Sequence, residues 1–453
     1  MSLSLALARH VVNLEYDDLP AAVVDTTRLC ILDTIGVSLA ACSLGEAATA
    51  FADLAQASAA GACTVIGHGI RRSADLAAFV NGSTAHALDY EDTHDGGLVH
   101  PTGTALYAAL AAAEERGGVN GAQLLTAVAA GADLTCRLAL ALADETRHGW
   151  SIRPLLGAYG AAAAAGKIYG LTAEQMVQAF ALAFCQATSS TGFMGYSRSH
   201  WREMRDAFAA RAGVISAQLA LRGIQCYDQP FEGAHGLYAQ YTQEHCDQDR
   251  ILRDLGRVFE GANVSFKPWP SCRGTHAFVE AALRLVGDDG VHVQDIARVE
   301  ARVSPVFRVL AEPIAQKRRP ATANDAKFSL PYTIAVALVR RRVDLSAYLP
   351  EALTDSAVLA MAEKVECVVD DTLEFADSLQ GTLTVHLVGR QQLTHTVRTP
   401  LGHPLRPIEP RQLEQKFLEC ASFAPPETAA HHGRWLQRLK TIDALDDVRN
   451  LFD

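Results

Sequence analysis

The chain has 453 residues, of which 49% are hydrophobic and 20% charged, and its formal charge is −11. That length exceeds what one core usually holds and predicts two domains, while the composition excludes a disordered or fibrous chain. Forty Lys and Arg against 51 Asp and Glu, with no basic stripe, exclude a nucleic-acid partner. The N-terminus lacks a basic region followed by a long apolar core, and no uninterrupted apolar run reaches the roughly 18 residues of a membrane span. These features predict a cytoplasmic protein without a membrane partner. The ten cysteines are scattered without a CxxC pair, which predicts reduced core residues and no iron–sulfur cluster.

From about residue 20 to 260 the apolar residues recur at helical spacing, in "AAVVDTTRLCILDTIGVSLAA", "SADLAAFVNGSTAHAL", "TALYAALAAAEERG", "AQLLTAVAAGADLTCRLALALA" and "GAYGAAAAAGKIYGL". Ser73 is placed to cap one helix, and Thr172 with Gln175 forms a capping-box pattern. The small residues Ala161 to Ala165 predict closely packed helices. Prolines break the pattern at "SFKPWPSCRGTH"; after one more helix come period-2 segments, "ARVEARVSP" and "GTLTVHLVGRQQLTHTVRTP", the second with a hairpin turn near Gly389. Helix returns in "RPIEPRQLEQKFLECASFA". The prediction is a mainly α protein, with a large all-helical domain at 1–265 completed by 401–453 and a smaller α+β domain at 266–400.

The stretch "HALDYEDTHDGGLVHPTG", residues 86–103, puts three histidines and four acidic residues on a loop between helices. Polar residues on a loop held by rigid helices suit a functional site, although Asp89, Asp92 and His94 also serve as caps and turn residues. His86, Asp89, Asp92, His94, Asp95 and His100 offer nitrogen and oxygen ligands to a metal, but no HExxH pair is present. A second cluster, "FKPWPSCRGTH", gathers Lys267, Cys272, Arg273 and His276, a set suited to a carboxylate, with Cys272 a weaker candidate nucleophile; the bland alternative is a solvated linker. Further candidates are His148, Trp150 and Arg153, then His200 and Arg202, any of which also fits a charged helix face.

Together, "HALDYEDTH" with "HPTG" after it, "GAYGAAAAAGK", "KPWPSCRGTH" and "AKFSLPY" resemble the MmgE/PrpD family along essentially the whole chain. That family includes 2-methylcitrate dehydratase, cis-aconitate decarboxylase and iminodisuccinate epimerase. The resemblance implies a large helical domain, a smaller α+β lid, an active site between them, a homodimer and no cofactor or metal. It implies active-site positions for Asp89, Thr93, His100 and His276, and carboxylate-holding or proton-moving roles for Lys267 and Arg273. Two departures stand out: Ser151 and Ile152 replace a His–Pro pair common among relatives, and Arg202 stands where the decarboxylase branch has a lysine.

The chemistry implied is proton transfer, or loss of carbon dioxide, at a carbon next to a carboxylate through an enolate-like species. In that scheme His100 or Lys267 takes the α-proton, and His276 or Asp89 serves the leaving hydroxyl or the opposite face. Arg153, Arg202 and Arg273 hold carboxylates, with Thr93 and Cys272 lining the substrate. The leading expectation is a hydro-lyase on a di- or tricarboxylic acid. Alternatives are an epimerase, a decarboxylase, a catalytically silent carboxylate binder and, most remote, a metal-dependent hydrolase.

Overall fold

The computed structural model describes residues 1–142, 149–195, 199–242, 247–389 and 391–453, without the side chains of residues 152, 153, 194 and 195. The chain divides into two compact units, Met1–Val264 with Glu409–Asp453, and Ser265–Ile408. The sequence reading drew these boundaries at 265/266 and 400/401.

The larger unit is built from α1 (Leu3–Asn13), α2 (Ala21–Leu44), α3 (Ala48–Gln56), α4 (Ala74–Ala85), α5 (Thr102–Arg116), α6 (Gly121–Leu140), α7 (Ile152–Tyr169), α8 (Ala173–Gln186), a single turn α9 (Gly192–Gly195) and α10 (Trp201–Leu221). Helix α2 is long and apolar enough to cross a membrane, yet 78% of its most apolar window is buried inside the protein. It also carries the buried carboxylate of Asp33, as befits a core helix. A short antiparallel ribbon, β1 (Cys63–Val65) with β2 (Ile70–Arg72), interrupts the helical pattern that the sequence predicts for this unit.

Small residues set how closely the helices approach. The run Ala161 to Ala165 on α7 is fully buried, and a Cβ on Gly213 of α10 would lie 2.4 Å from the Ala161 Cβ. A Cβ on Gly82 of α4 would lie 2.8 Å from the Asp206 carbonyl oxygen of α10, so glycine is what lets α4 and α10 meet. The predicted capping box is present, with Thr172 Oγ1 accepting from the Gln175 amide and the Gln175 side chain accepting from Thr172 N–H. Ser73 occupies the N-cap of α4, but its hydroxyl donates to the Asp75 carboxylate at 2.6 Å and accepts nothing from the helix.

The C-terminal segment returns to this unit through the helix Pro410–Ala421, which packs on α2. Its Lys416 ammonium is buried, 2.7 Å from Asp33 Oδ1, donates to the Tyr90 carbonyl at 2.7 Å and lies 3.7 Å from the centroid of the Tyr90 ring. One cation thus ties the C-terminal helix, the core helix α2 and the histidine-rich loop together.

In the smaller unit, the helices His276–Gly287 and Leu330–Arg340 share a core with a four-stranded sheet whose strands lie in the order Val365–Val369, Ile296–Val303, Gly381–Leu387, Gln392–Val397. Strands β3 (Ile296–Val303) and β4 (Val365–Val369) are parallel, whereas β3 with β5 (Gly381–Leu387) and β5 with β6 (Gln392–Val397) are antiparallel. Along β5, Leu383 and Val385 point into the core and the intervening threonines lie at its edge, the period of two read from the sequence. Strand β4 escapes that reading because its partner residues lie 66 positions upstream, Val299 opposite Val365, beyond any local pattern.

Replacing Lys416 with Met should strand the Asp33 carboxylate in the core. Urea unfolding should show a loss of about 3–5 kcal/mol, and a loss below about 1 kcal/mol would show that the pair contributes nothing net.

Candidate active site

Helix α4 ends at Ala85 with His86 at its C-cap, and the chain then turns through Asp89, whose φ of 52° lies in the left-handed region. His94 N–H donates to the Val99 carbonyl at 2.8 Å, closing the glycine-containing turn and carrying His100 back over Asp92. His86, Asp89, Glu91, Asp92, Thr93 and His94 are all buried. Buried polar groups need partners, and here they find them mostly in one another.

Glu91 is the hub. Its Oε1 accepts from His86 Nδ1 and lies 2.9 Å from His100 Nδ1, while its Oε2 accepts from the Tyr90 amide at 2.9 Å. The two imidazole rings stand 4.4 Å apart between centroids. Arg202 Nη1 donates to His86 Nε2 at 2.8 Å and sits 3.9 Å from Asp89 Oδ2. Because Nε2 of His86 accepts, its proton is on Nδ1. Burial first, and then the Arg205 guanidinium, push His86 well below the usual imidazole value, so the ring is neutral.

His100 is oriented by the same logic. Its Nδ1 lies 3.0 Å from the Asp92 carbonyl and 3.2 Å from Thr93 Oγ1, in addition to Glu91. A carbonyl and a carboxylate can only accept, so Nδ1 carries a proton, and in the neutral ring the lone pair is on Nε2. The His100 side chain is 15% exposed and lines a small crevice with Thr104, Thr135, Gly157, Arg205 and Asp206. Arg205 Nε donates to Asp206 Oδ1 at 2.7 Å. Burial outweighs the opposing Arg205 charge and leaves Asp206 above the ordinary carboxylate value.

The atoms of His86, Asp89, Glu91 and His100 that could bind a metal lie within 4.8 Å of one another. Glu91 Oε1, however, is within hydrogen-bonding distance of both Nδ1 atoms, closer than the roughly 3.3 Å between ligands around a tetrahedral zinc with bonds near 2.0 Å. The arrangement is that of a shared-proton network. His94 stands outside it: Nδ1 accepts from the Gly97 amide at 2.9 Å, and Nε2 faces Glu260 Oε2 at 3.4 Å, a contact that pulls Glu260 below its ordinary value. His94 therefore shapes the turn.

Asp92 accepts from Thr102 Oγ1 at 3.0 Å through Oδ2. Burial, with Glu91 and Asp33 adding negative charge, pushes its carboxyl up to about 8. At that value its protonated form is favoured at pH 7.

In the smaller unit, Lys267, Arg273 and His276 are all buried, which removes the solvated-linker reading. Arg273 donates to the Leu401 carbonyl at 3.0 Å, to Ser265 Oγ at 3.1 Å and to His276 Nδ1 at 3.3 Å. His276 Nε2 faces the Ser271 carbonyl at 3.3 Å, and its ring packs edge-on to Trp269. These contacts fix the His276 tautomer with its proton on Nε2 and make Arg273 a strap within the unit. Cys272, half-buried, donates its backbone N–H to the Lys327 carbonyl.

Of the remaining predicted residues, His148 and the side chain of Arg153 lie outside the described residues. His200 is the exposed N-cap of α10. Trp150 bridges to Ser190 and packs edge-on to Tyr241. Sequence reasoning passed over Glu91, Arg205 and Asp206. Arg202 and Arg205 are three residues apart on α10, which places them on one helix face, a signal that was available; Glu91 has no signal beyond its place between Tyr90 and Asp92.

Residues 5–248 match the model of the MmgE/PrpD N-terminal domain and residues 269–439 that of the MmgE/PrpD C-terminal domain. The chain belongs to the MmgE/PrpD family. It is 27% identical over 440 residues to the cis-aconitate decarboxylase-like protein oryM of Aspergillus oryzae, covering 92% of this chain and 90% of that one. It is 26% identical over 442 residues to human cis-aconitate decarboxylase, covering 93% and 88%. It is 25% identical over 448 residues to a probable 2-methylcitrate dehydratase of Saccharomyces cerevisiae, covering 87% and 82%. Decarboxylases and dehydratases are both lyases, so lyase chemistry is supported for this MmgE/PrpD protein at the level of the family.

A carboxyl whose pKa rises from an ordinary 3.8 to about 8 on folding favours the folded state while protonated. That stability is complete below about pH 4 and is lost as pH rises through 8. Asp92→Asn should therefore have a higher thermal midpoint than wild type at pH 9 and a smaller advantage at pH 5. An identical pH dependence in the two proteins would refute the assignment.

Proposed function

We propose that the protein is a cofactor-independent lyase acting at the carbon next to a carboxylate of a small di- or tricarboxylic acid. In this reading His100 Nε2 takes or returns the substrate proton. The observation that carries it is the engagement of His100 Nδ1 by Glu91 and the Asp92 carbonyl, which leaves Nε2 as the basic atom of a ring facing a cleft. A carboxylate behind an imidazole orients it and stabilises the cation formed when it accepts a proton.

Arg205 beside the cleft and Arg202 behind His86 supply positive charge suited to a substrate carboxylate. Asp89 and Thr93 belong to the same loop. Lys267 and His276 keep the roles that the resemblance implies, a proton-transfer group and a donor to developing negative charge. Thr93, Arg153, Cys272 and Arg273 keep those of substrate binding.

Dehydration of a hydroxylated acid is the first reading. The second, decarboxylation of an acid of the cis-aconitate type, is favoured by the names of the relatives, which include the human and Aspergillus decarboxylases. Epimerisation of an amino or imino dicarboxylic acid uses the same proton step without a leaving group.

Proton NMR in deuterium oxide, with citrate, 2-methylcitrate, cis-aconitate, malate, aspartate and iminodisuccinate as the panel, separates these readings. Loss of an α-hydrogen signal is expected from at least one acid, and the accompanying alkene, carbon dioxide or diastereomer names the reaction. Binding of an acid without exchange would instead support a silent binder.

His100→Asn keeps an amide N–H near the position of Nδ1 and removes Nε2. It should lower kcat/KM by roughly 10²–10⁴-fold with little change in thermal midpoint. Equal loss of folding and turnover would defeat the role of His100 as the base.

A further inference from the structure

Nine cysteines are described, and five of them are buried, while Cys272 and Cys367 are half-buried. Burial pushes Cys42, Cys63, Cys367 and Cys420 up to about 12, which keeps them as unreactive thiols. Cys185 and Cys226 differ from all of these, because both are exposed and their sulfurs are 3.9 Å apart.

The two arrive there by a fixed route. Cys185 is in the last turn of α8, and Cys226 follows α10. Gln178, two turns before Cys185 on α8 and so on the same face, accepts from the Cys226 amide at 2.6 Å and donates to the Asp228 carboxylate at 2.9 Å. One glutamine thus holds the segment around Cys226 in register opposite Cys185. Burial and the neighbouring Cys185 sulfur raise the Cys226 thiol, and either sulfur can be the donor of the S–H···S contact.

We propose that Cys185 and Cys226 are a modification site at which a mild oxidant of the peroxide class forms a reversible intramolecular disulfide. The sulfurs need only close from 3.9 Å to about 2 Å. The Cys185 thiolate attacks one oxygen of hydrogen peroxide and breaks the O–O bond, giving a sulfenic acid and hydroxide. Cys226 sulfur then attacks Cys185 Sγ, the S–O bond breaks, and the hydroxyl leaves as water with the Cys226 proton. Overall, two thiols and one peroxide give one disulfide and two waters. A dithiol reductant reverses the change.

The test treats the reduced, folded full chain with near-stoichiometric hydrogen peroxide, traps remaining thiols with N-ethylmaleimide, and maps peptides without reduction. The expected result is an intact mass lower by two hydrogens and a peptide cross-linked through Cys185 and Cys226, both reversed by dithiothreitol. Cys185→Ser and Cys226→Ser should each abolish the cross-link while leaving the circular dichroism spectrum unchanged. The wild-type map decides the matter even if a variant folds poorly. Maleimide on both cysteines after peroxide, a cross-link through Cys246 or Cys272, or a cross-link between chains would each overturn the proposal.

Discussion

A single buried carboxylate, Glu91, shared between His86 and His100, is the constraint from which the rest of the site follows. An anion in the interior is tolerated only with donors around it, and here the donors are two imidazole N–H groups and a backbone amide. That requirement fixes which nitrogen of each ring is protonated. It makes His86 a neutral relay between Glu91 and Arg202, and it holds His100 by its Nδ1 in the lining of the cleft. Asp92, buried beside Glu91 and Asp33, has its carboxyl pushed up to about 8.

The scaffold serves that geometry. Gly82 lets α4 approach α10 closely enough for Arg202 to reach His86, and the alanine run on α7 lets α10 lie flat against it. On the other side of the loop, Lys416 holds the Tyr90 carbonyl next to Glu91. The C-terminal helix therefore contributes to the site without supplying a reacting group, which is a physical reason for a chain to return to its first unit after building a second.

Much of this was legible in the sequence. Helical periodicity and the break at "SFKPWP" marked the helices and the change to mixed structure, because both are local signals. The β5–β6 hairpin was legible for the same reason. Strand β4 was not, since its pairing depends on a residue stretch 66 positions earlier. The loop at 86–103 was recognisable from its charge density, but the roles within it were not: Glu91 became central and His94 peripheral only through the turn closed by His94 and Val99. The "HP" histidine stood out from the family motif, whereas its orientation came from a carbonyl and a carboxylate, contacts that no sequence pattern encodes.

The proposed chemistry turns on one atom, Nε2 of His100. Its tautomer is the central claim, and two-bond proton–nitrogen NMR of the histidine rings in uniformly ¹⁵N-labelled protein reads it directly. The account predicts that neutral His100 carries its proton on Nδ1, with Nε2 resonating as an unprotonated ring nitrogen, and that Glu91→Gln loosens this preference. A His100 ring found as the Nε2–H form would contradict the account, because Nε2 would then be a donor and could not take a proton from the substrate.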